Sequence, residues 1–164
     1  MKHTHRAYVR FGFLLMGFAV IFGAFGSHVL KELIGEVELN TWDIGIRYHM
    51  VHAIAIIILG VTHRHFDEKK LGLALGLFII GIFIFSGSLY LLATRNIWGN
   101  DSFRIIGAIT PLGGASFIAG WVLLFFRGFT PEKDNGGIKT EGVGDRKRSH
   151  RRHRKSGEET ISEG

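Results

Sequence analysis

Long windows between Phe11 and Phe126 contain no Asp, Glu, Lys or Arg, and their apolar positions run around every face rather than along one stripe. A soluble helix of comparable length would carry a charged face, so the pattern points to helices solvated by lipid. Four such stretches stand out, at about 8–28, 44–62, 71–94 and 103–126. Each is close to the ~20 residues that cross 30 Å of hydrocarbon. The second is the weakest, because its uncharged part is only Tyr48 to Val61; it must start near Ile44 and carry Arg47 at the interface. The fourth is interrupted by Thr110-Pro111, a hydroxyl followed by proline, which is a helix-start signature and predicts a kink or a broken helix there. The expected fold is all-α, an integral membrane four-helix bundle over residues 1–127.

The polar segments between the spans set the topology. Lys and Arg number three in the N-terminal arm, three in the second loop and ten from Arg127 onward, against two in each of the first and third loops. The excess of positive charge predicts that both termini and the second loop are cytoplasmic. Trp42 and Trp98 then fall in the two outer loops, the first of which is expected over Lys31 to Asp43. Residues 128–164 combine Pro131, glycine pairs and the basic run Arg146, Lys147, Arg148, Arg151, Arg152, Arg154 and Lys155. Nothing there buries a core, so it is expected to be a disordered cytoplasmic tail whose basic run meets anionic lipid. No aromatic residue follows Phe129 to stack on bases, so nucleic acid is not an expected partner. The arm Lys2, Arg6 and Arg10 before an apolar run resembles a secretory signal with Ala24-Phe25-Gly26 as its cleavage site, but an uncleaved first helix is preferred because three more spans follow. Asn100-Asp101-Ser102 fits a short glycosylation sequon.

The chain has no cysteine, which removes disulfides, thiolate nucleophiles and thiol metal sites. No carboxylate lies within the four predicted spans, so an intramembrane proton relay lacks its usual residues, and no Gly-x-Ser-x-Gly elbow is present. The expectation is a non-catalytic protein without a cofactor. Counting depth along alternating helices puts His28, then His49 and His52, then Ser86, Ser88 and Tyr90, then Thr110 and Pro111 near one outer level. Three readings are open for this layer. Its groups can bond one another as interhelical glue. They can line a pocket for a small polar or lipid-like ligand at the free amides of a half-helix starting near Pro111. Or His28, His49 and His52 can hold zinc, copper or a haem. Ser86-Gly87-Ser88 is read as close packing, and the small-residue pairs Ala19 and Gly23, Gly72 and Gly76, and Ala115 and Ala119 support tight contacts within the bundle or between copies.

Four segments together, GAFGSHVLK (23–31), YHMVHAIAIIILG (48–60), FSGSLYLLA (85–93) and ITPLGGASFIAGW (109–121), resemble one family. It is the domain-of-unknown-function 423 family of small four-helix membrane proteins, which includes YgdD-like bacterial inner membrane proteins and the vertebrate transmembrane protein 256. The resemblance runs from Tyr8 to Arg127 and excludes the tail. It implies the four-helix fold and a membrane location, the bacterial cytoplasmic membrane or an organelle membrane such as the mitochondrial one, and no particular chemistry. Carried over by position, its candidate functional residues are His28, His52, Ser86, Ser88, Tyr90, Thr110 and Pro111; His49 stands where glutamine is more usual. The first functional expectation is therefore an accessory component that packs against itself or a larger membrane complex; the ligand binder and the metal or haem subunit are the alternatives.

Overall fold

The computed structural model describes residues 2–97 and 106–127, all within the compact unit Met1–Pro131. The expected tail at 128–164, Trp98, the sequon at 100–102 and the start of the fourth span at Phe103 lie outside these residues. Five α-helices form the described chain: α1 (Lys2–His28), α2 (Glu36–Val61), α3 (Glu68–Gly81), α4 (Gly87–Thr94) and α5 (Thr110–Arg127). A π turn, Ile82–Ser86, joins α3 to α4 into one rod, so the helices make four membrane-length spans. Short 3₁₀ turns at Leu30–Glu32 and His63–His65 close the first two connections.

The second span is longer than the sequence predicts. The expected loop from Lys31 to Asp43 is mostly helix, because α2 begins at Glu36. Glu36 and Glu38 sit in its first turn, where carboxylates are stabilised by the positive end of the helix dipole. Trp42 is accordingly not an interfacial loop residue: it is 5% exposed, and its indole donates to the Phe22 carbonyl of α1 at 3.0 Å. Gly26 makes that contact possible, since a Cβ there would lie 2.7 Å from the indole nitrogen. The third span starts earlier than residue 71 because Asp67 caps α3, its carboxylate accepting from the Lys70 amide at 3.0 Å. At the far end Glu38 faces Arg95 at 3.6 Å and accepts from Asn96 at 3.3 Å, tying the start of α2 to the end of the rod.

α1 packs chiefly on α2, and α5 chiefly on α3 and the π turn, while α2 meets both halves of the rod. Close approach is set by glycine: at Gly113 a Cβ would sit 2.8 Å from the backbone Cα of Phe85, and Gly120 leaves room for the ring of Phe78. Ser116 of α5 adds a hydrogen bond to the Leu77 carbonyl at 2.8 Å. One apolar cluster gathers Leu15, Ala53, Ile56, Leu71, Leu75 and Phe78; a second gathers Leu30, Trp42, Ile46 and Ala93. Outside them large apolar side chains face outward, with Phe13 at 60%, Ile118 at 65% and Phe125 at 79% exposure. In water a surface of this kind would drive aggregation; facing lipid it costs nothing.

Candidate functional site

The polar side chains expected in one outer layer occupy separate places along the spans. At the start of α5, the Thr110 hydroxyl lies 2.7 Å from that of Ser88, which in turn donates to the Phe85 carbonyl at 2.8 Å. With the single Ser88 proton committed to Phe85, Thr110 is the donor of the pair. Thr110 and Pro111 open α5 instead of kinking a longer helix; residues 106–108 before them form a 3₁₀ turn. The expected break is thus a true helix start, and its hydroxyl bonds across to the rod.

Beside it, an aromatic cluster joins α1, α2 and α4. The Tyr90 ring packs 4.6 Å from Trp42 and 5.1 Å from Phe22, over Gly45, where a Cβ would lie 2.8 Å from the Tyr90 ring. The Tyr90 hydroxyl is 3.2 Å from His49 Nδ1. His49 is 4% exposed, and its Nε2 is buried without a hydrogen-bond partner. Ser86, in the π turn, is fully buried and its hydroxyl has no hydrogen-bond partner.

His52 lies deeper. Its Nδ1 bonds the Tyr48 carbonyl at 2.8 Å, and its Nε2 bonds the Trp121 indole at 3.1 Å. An indole N–H only donates and a carbonyl only accepts, so the ring is held as the neutral Nδ1–H tautomer with both nitrogens occupied. Its face stacks on Phe117 with centroids 3.5 Å apart. Trp121 is eleven residues beyond Thr110 on α5, about 16 Å along the axis, so His52 and Thr110 do not line one recess. His28 ends α1 with its side chain exposed. Among the described residues no group of three or more His, Cys, Asp or Glu could hold a metal, and the triad of His28, His49 and His52 is not assembled. A site at His52 would first have to displace an indole from its only lone pair.

The sequence reading missed Trp42, Ser116 and Trp121, each of which bonds a neighbouring helix. The available signal was chemical rather than periodic: an indole or hydroxyl held inside an apolar bundle requires an acceptor.

A cleft of about 290 Å³ opens between α1 and the rod, walled by Phe11, Leu14, Phe18, Ile82, Phe83 and Gly87 with His49 and Tyr90 at its end. Its surface is apolar throughout, since the polar atoms of His49 and Tyr90 turn toward each other.

Four lipid-length helices, outward apolar rings and polar groups bonded between helices define a small polytopic membrane protein. Comparison with known proteins agrees. The model of the family "Protein of unknown function (DUF423)" matches residues 22–114. A UPF0382 membrane protein of Staphylococcus haemolyticus is 36% identical over 124 residues, covering 76% of this chain and 96% of its own length. YwdK of Bacillus subtilis is 38% identical over 107 residues, 65% of this chain and 82% of its own. The inner membrane protein YgdD of Escherichia coli is 38% identical over 110 residues, 64% of this chain and 76% of its own. No solved structure matches. The chain belongs to the DUF423 family of uncharacterised small integral membrane proteins.

Proposed function

We propose that the protein is a non-catalytic packing component of the membrane, with both termini cytoplasmic, that associates with a second copy or with another membrane protein. The observation that carries this reading is the disposition of the polar groups: Thr110 with Ser88, Tyr90 with His49, Trp121 with His52 and Ser116 with Leu77 are bonded between helices. Groups spent in this way hold helices together and are not offered to a substrate. The outward surface supplies what association needs. Gly72 and Gly76 have nothing within 4 Å of where a Cβ would stand, and Ala115 and Ala119 are exposed, so two small-residue stripes remain unfilled. The excess of Lys and Arg in the arm, the second loop and the tail supports the orientation.

Native mass spectrometry of protein in nanodiscs tests the association. The expected spectrum shows a homo-oligomer or a complex with another membrane protein, and Gly76→Ile, whose Cβ would stand in open space within its own fold, reduces that species to the single chain. A single chain at every concentration, without a protein partner, would overturn the reading. Orientation is tested separately: the chain lacks cysteine, so single cysteines placed in the arm and in the third loop should label from opposite sides.

A further inference from the structure

Beside the cleft between α1 and the rod lies a second recess lined by Arg6, Ala7, Arg10, Phe11 and Leu14. Phe11 and Leu14 line both, so the two adjoin along α1 and make a path there. Arg6, Arg10, Leu14, Phe18 and Phe22 are each four residues apart and form one ridge that winds about the helix axis by about 40° per step. The ridge begins with two cations at the end of the span and continues as apolar walls. From Arg10 to Phe22 the helix rises about 18 Å, a little more than one leaflet of a ~30 Å hydrocarbon core. The opposite wall, Ile82, Phe83 and Gly87, is supplied by the π turn and the start of α4. Gly87 has nothing within 4 Å of its Cβ position, so the cleft has depth there.

We propose that this path holds one anionic phospholipid, its phosphate against Arg6 and Arg10 and one acyl chain laid between α1 and the rod. Charge and polarity select this occupant. The cations stand at head-group level, where each basic side chain attracts an anionic lipid by about fivefold. The cleft beyond them offers no polar atom, which excludes a ligand that needs a hydrogen bond at depth and suits a hydrocarbon chain. A helix from another protein would fill the apolar part but gain nothing from two arginines at its mouth. This site is separate from the small-residue stripes on α3 and α5 and does not depend on association through them.

The experiment is native mass spectrometry of the full chain titrated with palmitoyl-oleoyl phosphatidylglycerol and, in parallel, phosphatidylcholine. The expected result is one tightly retained phosphatidylglycerol per chain. In the double variant Arg6→Gln/Arg10→Gln the preference for phosphatidylglycerol over phosphatidylcholine falls by about 25-fold, while either lipid is still retained. Gly87→Leu, whose Cβ would stand in open space, extends into the cleft and removes retention of both lipids. Leu14→Trp, from the opposite wall, gives the same loss should Gly87→Leu fail to fold. Equal retention of the two lipids by the wild-type chain overturns the proposal, as does undiminished retention by the filled variants. A preference that survives the arginine variant and disappears when residues 146–155 are neutralised assigns the selectivity to the tail instead. A dimer that Gly87→Leu splits shows that a second copy, not a lipid, occupies the cleft.

Discussion

Gly113 is the position at which one methyl group should cost the most. In Gly113→Ala the new Cβ would lie 2.8 Å from the Cα and from the Cβ of Phe85, where ordinary contacts begin at 3.4 Å. The obstacle is partly backbone, so no rotamer change relieves it, and α5 must retreat from the π turn by about 0.6 Å or more. Ser116 lies one turn further on α5, and its 2.8 Å bond to the Leu77 carbonyl would stretch with the same movement. Overpacking of this kind costs about 1–3 kcal/mol. Replacing a helical glycine by alanine returns up to about 1 kcal/mol, so the net expectation is a loss of about 1–2 kcal/mol. Gly17→Ala, in the middle of α1, is the matched control: it carries the same helix gain with nothing within 4 Å, and should be stabilised by up to about 1 kcal/mol. Unfolding by sodium dodecyl sulfate in mixed micelles, followed by far-ultraviolet circular dichroism, reads both. The sign of the difference carries the test. Gly113→Ala as stable as Gly17→Ala would refute the claim that α5 rests on the Phe85 backbone.

Trp121→Phe keeps a ring against Phe78 but leaves His52 Nε2 without its donor. Interhelical hydrogen bonds in membranes average about 0.6 kcal/mol with a maximum near 1.7, and the buried lone pair puts this one in the upper half of that range, measured by the same denaturation. Glu38→Gln removes the charge that faces Arg95 while retaining an acceptor for Asn96. The pair is partly exposed, so the loss should be at most about 1 kcal/mol in low salt and disappear near 1 M salt. A salt-independent loss would show that the Arg95 contact is not the cause.

What could be read from the sequence depended on which signal each feature carries. The third span was legible because its uncharged run is longer than any soluble helix would tolerate. The start of α2 was not, because Glu36, Glu38 and Asp43 depress hydropathy over residues that are nevertheless helical; the dipole and the burial of Trp42 decide that stretch. Counting depth put Ser88 and Thr110 at one level, since it fixes height along the membrane normal, but their hydrogen bond is seen only in the structure. Rotation about each helix axis was invisible, since helices apolar on all sides give no phase, and rotation decides that His52 bonds Trp121 and stacks on Phe117. The π turn left no trace either: Ile82-Phe83-Ile84-Phe85-Ser86 is an ordinary apolar run, and its widened loop shows only in the contact of Phe85 with Gly113.

That turn makes the rod sensitive to length in a way its composition conceals. A π turn accommodates one more residue than an α turn, and one residue in an α-helix corresponds to about 100° of rotation. α3 presents its main face to α5 and α4 presents its own to α2, and the wider turn takes up the extra residue without rotating one face against the other. A single deletion within Ile82–Ser86 would close that turn to an α turn and leave both faces in place, whereas one in the α-helical parts of the rod, where no residue is spare, would leave a chain just as hydrophobic and just as able to span the bilayer. It would nonetheless turn half of the rod away from its partner, as a gear cut with one tooth too few.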